Sequence, residues 1–227
     1  MFTDFYHGII RKTVVSFGTL FNNIHINREI PNGVSQRIKV PLTYSVKEKF
    51  INRLSVSLAD LSNQAVQITL PRMSFAITSI SYDAERKKNS INRRYMETVN
   101  TNGDTEYSYH HMPVPYNLDM TLSTYVRNMD DGLQIVEQIL PYFTPEFSMT
   151  IKPGVLGNEQ EKLDIPIILT QVTTEESFEG PLVSENNRFI MWDMTFTAKI
   201  NLYGPVKQHN VINYIEANIL DIENDQP

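Results

Sequence analysis

Two segments of the chain carry apolar residues at the three- and four-residue spacing that is typical of an amphipathic helix. One is residues 45–54, where the apolar positions are four residues apart. The other lies near the N-terminus, and its apolar positions are Ile10, Val14, Phe17 and Phe21. Both segments are therefore predicted to form helices that bury one face.

A third helix is marked more clearly and follows Asn128. Asp130 and Asp131 would stand in its first turn, where negative charge is favoured by the positive end of the helix. Pro141 and Pro145 mark its end, because proline cannot continue a helix. The pattern predicts a stripe of core-facing side chains at Leu133, Val136, Leu140 and Phe143, flanked by Ile135 and Ile139.

Most of the remaining chain alternates between apolar and polar positions, which is typical of a β-strand with one buried face. Residues 22–28 and 38–40 alternate on either side of a Pro-Asn-Gly turn signal at 31–33, so they are predicted to form a hairpin. Longer strands are predicted at 71–78, 116–126, 147–152 and 190–202. Residues 165–172 are almost continuously apolar, as expected for a strand that is buried on both faces.

Residues 83–112 interrupt this order with five basic and five acidic residues, and they are predicted to form a long charged hairpin. Residues 206–227 fit a helix or a strand equally well. The whole pattern predicts an α+β fold, with a mixed or mainly antiparallel sheet and a few packed helices. We expect one core domain, residues 1–205, that includes the excursion at 83–112, and a C-terminal arm or tail at 206–227.

Composition narrows the possible functions. The 227 residues include 26 acidic and 20 basic side chains, a formal net charge of −6, which argues against sequence-specific nucleic-acid binding or an anionic membrane as a partner. There is no cysteine, so disulfides, thiolate metal sites and cysteine nucleophiles are excluded. No apolar run approaches the roughly 20 residues of a membrane span. We expect a soluble intracellular protein.

A search for catalytic chemistry finds little. The glycines are scattered, so no phosphate-binding loop is predicted. His110 and His111 are adjacent, so on a strand they would point to opposite faces, and an exposed pair in a loop is favoured over a metal site. A helix-dipole role for Asp130 and Asp131 is favoured over a pair of acid and base catalysts. We therefore expect no catalytic, cofactor or metal site, and a metal-dependent hydrolase using the two histidines remains the alternative from a different class.

The charged excursion has a second possible interpretation. Its basic residues lie near Tyr82 and Tyr95, and basic and aromatic side chains together can bind single-stranded nucleic acid. The five nearby acids and the negative net charge favour a solvated hairpin or a protein contact instead.

Several pieces of the sequence, taken in order, resemble one known family. The longest is residues 131–145, which read Asp-Gly-Leu-Gln-Ile-Val-Glu-Gln-Ile-Leu-Pro-Tyr-Phe-Thr-Pro. The others are Phe-Asn-Asn-Ile at 21–24, Val-Pro-Leu-Thr-Tyr at 40–44 with Lys47 and Glu48, Leu-Pro-Arg at 70–72, and the strand with Trp192 and Phe196. Over residues 1–205 the chain resembles the tail sheath stabiliser and completion proteins of contractile-tailed bacteriophages.

The resemblance implies a structural virion protein that is not an enzyme and needs no cofactor. It would form a homo-hexameric ring at the head-proximal end of the tail, in the neck region of the virion, after assembly in the host bacterial cytoplasm. Its expected partners are the tail sheath protein, the tail tube terminator and the neck or head-completion proteins. A tail-tube terminator or a neck connector protein is the alternative within the same class.

A ring needs two different patches that meet between neighbours. The excursion supplies a basic patch, whose members are Arg86, Lys87, Lys88, Arg93 and Arg94. Residues 159–185 contain seven acids, and the candidate partners among them are Glu159, Glu161, Glu175, Glu176 and Glu179. We hypothesise that the basic patch faces this acidic stretch of a neighbouring copy or of a sheath subunit.

Overall fold

The computed structural model describes residues 4–29, 35–49, 51, 70–99, 105–153, 162–177 and 189–210. Helix α1 spans Ile9–Leu20 and helix α2 spans Met129–Ile139, which continues into a 3₁₀ turn at Leu140–Tyr142. The strands are β1 His25–Glu29, β2 Ser35–Lys39, β3 Leu42–Tyr44, β4 Arg72–Tyr82, β5 Arg93–Val99, β6 Thr105–His111, β7 Val114–Val126, β8 Glu146–Ile151, β9 Leu163–Ser177, β10 Phe189–Leu202 and β11 Lys207–Asn210.

A six-stranded sheet forms the centre of the fold, with the order β3-β4-β7-β10-β9-β8. Only the β3–β4 pair is parallel among these described strands, so the predicted α+β fold with a mainly antiparallel sheet is confirmed. Strands β7 and β10 pair over thirteen residues, with Met120 opposite Phe196. Because side chains alternate along a strand, this register places the even-numbered apolar residues of both strands on one face.

That face of the sheet is covered by both helices and by the β1–β2 hairpin. Phe17 of α1 lies with its ring centroid 5.4 Å from that of Phe75 and 5.3 Å from that of Phe196. Phe143, just after α2, packs 5.0 Å from Phe196. Ile26 of β1 is fully buried in the same cluster. The predicted N-terminal helix and the predicted hairpin are both confirmed.

The opposite face of the sheet carries polar side chains and a small buried cluster of Tyr125, Phe189 and Met191. Asp119 accepts hydrogen bonds from Ser79 at 2.6 Å and from Thr197 at 2.8 Å, across three neighbouring strands. The prediction that residues 165–172 are buried on both faces is wrong, because Ile165 and Ile167 are fully buried but Thr170 is exposed. This part of β9 has only one core-facing side.

The buried face of α2 differs from the predicted stripe. Val136 and Phe143 are buried as predicted, but Leu133 is 42% exposed and Leu140 is 37% exposed. The flanking residues Ile135 and Ile139 are buried instead. The apolar positions of this helix form two adjacent stripes, and the local pattern does not show which stripe meets the sheet. The packing of the helix on β7 and β10 selects the stripe centred on Ile135.

The charged excursion is a hairpin, as predicted, and it belongs to a second sheet. Strands β5 and β6 pair with each other, and β11 adds to the free edge of β6. The start of the C-terminal arm is therefore a strand, and residues 211–227 lie outside the described residues. In the predicted 45–54 helix, residues 47–49 and 51 are helical, and the rest of its C-terminal half lies outside the described residues.

Candidate assembly interface

Arg86 anchors the base of the charged hairpin. Its Nε donates a hydrogen bond to Asp83 at 2.7 Å, and its Nη2 donates to the carbonyl oxygen of Tyr116 and to Asn117 Oδ1 at 3.1 and 3.0 Å. The hydrogen bond from Arg86 holds the pKa of the Asp83 carboxyl below its usual value. Arg86 therefore ties the excursion to strand β7, in addition to any role it has as a candidate interface residue.

The other four basic candidates are exposed. Lys87 and Lys88 lie between β4 and β5, before the hairpin strands begin. Arg93 lies with its guanidinium carbon 5.0 Å from the centroid of the Tyr109 ring, a cation–π contact. Arg94 follows it on β5, so the two arginines point to opposite faces of the small sheet.

Among the acidic candidates, Glu175 already has a partner in its own chain. Lys47 donates to Glu175 at 2.8 Å and to Asp193 at 2.9 Å, and so joins the segment after β3 to strands β9 and β10. Burial opposes the charged form of Lys47, but the two carboxylates outweigh it and raise the lysine pKa. Glu159, Glu161 and Glu179 lie outside the described residues, as does the side chain of Glu176.

No ion pair within the described ranges joins Arg86, Lys87, Lys88 or Arg93 to these acids. Lys87, Lys88 and Arg93 are exposed. The contact between the two patches stays a prediction.

The two histidines do not lie in an exposed loop, so that interpretation is wrong. Both are on strand β6, and His110 is only 1% exposed. Its ring meets that of Tyr203 edge-on at 5.2 Å, and its Nδ1 is 2.7 Å from the carbonyl oxygen of His111. Among the residues that the structure describes, no group of three or more metal-binding side chains is close enough to hold an ion.

Two glutamines of α2 cover the outer edge of strand β1, a feature that the sequence analysis missed. Gln134 accepts from the Asn27 N–H at 2.9 Å and donates to the Asn27 carbonyl at 3.1 Å. Gln138 makes the same pair of contacts with His25, at 3.5 and 2.7 Å. Four residues of helix rise about 6 Å and two residues of strand rise about 6.6 Å, so the spacings match. We name these four hydrogen bonds the glutamine clip.

A partly buried ion pair between Arg28 of β1 and Asp131 of α2 adds to the glutamine clip. Arg28 donates to both carboxylate oxygens of Asp131, at 2.6 and 3.3 Å, and Asp131 is only 2% exposed. The hydrogen bond with Asp131 raises the pKa of Arg28. Asp130 accepts from Gln134 at 2.9 Å. Both acids stand in the first turn of α2 as predicted, and both have structural partners.

Helix α2 approaches the sheet most closely at Gly132. A Cβ atom on this residue would lie 2.5 Å from Nε1 of Trp192 and 3.3 Å from a methyl group of Val126. Only a residue without a side chain fits at this distance. Gly132 and Trp192 are sixty positions apart in the sequence, and both belong to the pieces that carry the family resemblance.

Two other pieces of the resemblance also come together in space. Phe21 and Ile24, after α1, line an apolar groove of about 550 Å³ with Tyr142 and Phe143, after α2. The ring of Phe21 is stacked on that of Phe143 at 6.3 Å. Three of the pieces that resemble the family, at 21–24, at 131–145 and on the strand with Trp192, thus meet where the two helices pack on the central sheet.

Among the described residues, no helix is long and apolar enough to cross a membrane.

Comparison with known proteins identifies the family of the chain. Residues 4–227 match the tail sheath stabiliser family of T4-like viruses of the Myoviridae. The tail completion protein gp15 of Enterobacteria phage T4 is 34% identical over 209 residues, which cover 91% of this chain and 74% of that protein. The tube-terminating cap of the anti-feeding prophage is 12% identical, with 78% of this chain and 62% of that chain covered, but the TM-score of 0.26 is too low to indicate a shared fold. The chain belongs to the tail sheath stabiliser family of T4-like myoviruses, and it is a structural component of the phage tail, not an enzyme.

Proposed function

We propose that the chain forms a homo-hexameric ring at the head-proximal end of a contractile tail. The ring caps the tail tube, holds the sheath in its extended state and gives the neck and head-completion proteins a surface to join. The observation that carries this proposal is the family membership, which extends over nearly the whole chain. The T4 relative is named a tail completion protein, which fits a position at the end of the tail.

The architecture suits a ring subunit. A rigid six-stranded sheet with helices on one face provides the body, and the β5–β6–β11 sheet extends from it. A closed ring uses heterologous contacts, in which one patch of each copy meets a different patch of the next. A hairpin with exposed basic side chains supplies one such patch.

The ring is tested by measuring the mass of the purified chain by light scattering, with negative-stain images of the same peak. Six copies of the 26.2 kDa chain would weigh about 157 kDa and show a central hole. If the chain is monomeric alone, it is added to sheathed tails that lack a cap. Failure to form a ring in solution and to bind those tails would contradict the proposal.

The role of the basic patch is tested by the double substitution Lys87→Glu and Lys88→Glu. Both side chains are exposed, so the fold should be unchanged while ring formation or tail capping is lost. Arg37→Glu with Lys39→Glu is the matched control, because these exposed residues of β2 lie outside the patch. Normal rings and capped tails with this variant would show that Lys87 and Lys88 do not make the contact.

A further inference from the structure

A second groove of about 550 Å³ lies between the N-terminal half of α1 and the end of β8, the edge strand of the central sheet. We name it the α1–β8 groove. Two large side chains that line it, Tyr6 and Val15, are 77% and 60% exposed. Exposed apolar side chains grouped in a groove are typical of a binding surface.

The α1–β8 groove also carries positive charge. Arg11, Lys12 and Lys152 line it, and all three are exposed. Lys12 donates to the carbonyl oxygen of Pro153 at 2.8 Å, which fixes it at the wall of the groove. Arg11 and Lys152 form no ion pair with any residue in the described ranges. The groove therefore suits a segment that is both apolar and acidic.

Residues 211–227 of this chain have that composition. The segment contains four acidic residues and no basic one. Its acids are Glu216, Asp221, Glu223 and Asp225. Val211, Ile215 and Ile219 recur at a spacing of four and offer an apolar side. Charge and hydrophobicity are thus complementary between the segment and the α1–β8 groove.

Strand β11 leads the chain away from the start of α1 and along the hairpin. The Nε2 atom of His7 lies 2.9 Å from the carbonyl oxygen of Gly204, so the chain passes the start of α1 just before β11. Strand β11 then runs from Lys207, opposite Tyr109, to Asn210, opposite Glu106. The strand runs toward the turn between β5 and β6. It runs away from β4 and β7, the two strands from which the hairpin extends.

We propose that the α1–β8 groove of one copy receives residues 211–227 of the neighbouring copy. This inference rests on the proposed ring, and it adds a further contact in which two different surfaces of neighbouring copies meet, as a heterologous ring requires. The segment leaves each subunit along the hairpin and binds the next subunit through its acids and its apolar side.

The absence of cysteine makes a direct cross-linking test possible, since every introduced thiol is unique. Full-length Val15→Cys chain is mixed with full-length chain carrying Ile215→Cys, Ile219→Cys or Glu223→Cys, and a bis-maleimide is added. We expect covalent dimers from at least one mixture, at several times the yield of either variant alone. The reaction is run on the free chain and on chain assembled on sheathed tails.

The double variant Val15→Cys with Ile219→Cys identifies which copy supplies the segment. Linkage between neighbours gives a ladder of multimers on a denaturing gel. An internal link, seen as a monomer of altered mobility, would show that each segment folds back on its own groove and would overturn the proposal. Absence of cross-links from all three mixtures, both free and on tails, would overturn it too.

Charge exchange tests the recognition itself. In the Val15→Cys and Ile219→Cys mixture, adding Arg11→Glu and Lys152→Glu to the groove should lower the dimer yield at least about fivefold, because like charges now face each other. Adding Glu223→Lys and Asp225→Lys to the segment should restore it. Arg37→Glu with Lys39→Glu is the control and should leave the yield unchanged. No loss with the groove variant, or no recovery with the exchanged pair, would contradict the proposed contact.

The outcomes separate this inference from the proposed function. If the unmodified chain forms rings or caps tails but no mixture gives cross-links, only the docking of the segment is wrong. If the unmodified chain forms no rings and caps no tails, the proposed function itself is wrong. Binding of a single-stranded oligonucleotide that is lost with Arg11→Glu and Lys152→Glu would show that the groove holds nucleic acid instead, and would also overturn the proposal.

Discussion

The contact between Gly132 and Trp192 shows how one residue positions a whole helix. In a helix, alanine is normally more favourable than glycine by about 1 kcal/mol. Here the added Cβ would lie 2.5 Å from Trp192 Nε1 and 3.0 Å from its Cδ1. Strain from such overpacking in a close-packed core is roughly 1–3 kcal/mol or more, so the steric term outweighs the helix propensity.

We therefore expect Gly132→Ala to destabilise the protein by roughly 2 kcal/mol and to lower the melting temperature by about 4–8 °C. Thermal unfolding followed by circular dichroism measures the change. Gly204→Ala is the control, because nothing lies within 4 Å of a Cβ at that position. A Gly132→Ala variant as stable as the native chain would mean that α2 can move away from Trp192 at little cost.

At the scale of elements, the glutamine clip explains how α2 holds the β1–β2 hairpin. Strand β1 pairs only with β2 among the described strands, so one of its edges would otherwise present free backbone groups. Gln134 and Gln138 satisfy an N–H and a carbonyl group each. The primary amide of glutamine offers a donor and an acceptor side by side at neutral pH, which explains why this residue suits both positions.

The glutamine clip predicts a stability change that depends on pH. In Gln138→Glu, the carboxylate can still accept from the His25 N–H but cannot donate to the carbonyl, whose oxygen it now repels. We expect a loss of about 1–2 kcal/mol at pH 7. The deficit should shrink toward pH 4, because a protonated glutamate can donate again.

Urea unfolding of the native chain and the variant at pH 7 and pH 4 tests this prediction. Glu137→Gln, at an exposed position of the same helix, is the control and should change stability little at either pH. A Gln138→Glu deficit that is equal at both pH values would show that the donor side of the amide does not matter.

At the scale of the whole molecule, the six-stranded sheet and the β5–β6–β11 sheet differ greatly in how much of each is buried. Strands β7 and β10 lie inside the six-stranded sheet and under both helices. In the β5–β6–β11 sheet, the described side chains that are less than a tenth exposed are those of Tyr109 and His110. Elements with few buried apolar contacts open at lower free energy than the core of a domain.

We expect amide hydrogen exchange in β7 and β10 to be at least roughly 100-fold slower than in β5, β6 and β11. Mass spectrometry of peptides from each strand measures the difference. In a ring or on a tail, exchange in the small sheet should slow toward the rate of the core, because the proposed contacts would cover it. Equal exchange in both sheets of the free chain would show a single cooperative unit and would contradict the expectation.

The sequence by itself determined the secondary structure around the core, because helices and strands place apolar residues at fixed local spacings. The alternation at 116–126 and 190–202 and the helical spacing near Phe17 depend only on neighbours in the chain. The charged hairpin was also predictable from the sequence, because of its polar composition and its turn residues. The short sequence segments that resemble the family, taken in their order along the chain, likewise indicate the family without any knowledge of the structure.

Only the tertiary structure decided which surfaces meet. Gln134 and Asn27 are 107 positions apart, and a helix with two evenly spaced glutamines gives no sign of the strand edge that they cover. Leu133 is exposed and Ile135 is buried because α2 sits on Trp192, a contact that the helical period cannot specify. Local patterns fix which residues share a face, whereas the partner of each face depends on contacts between distant parts of the chain.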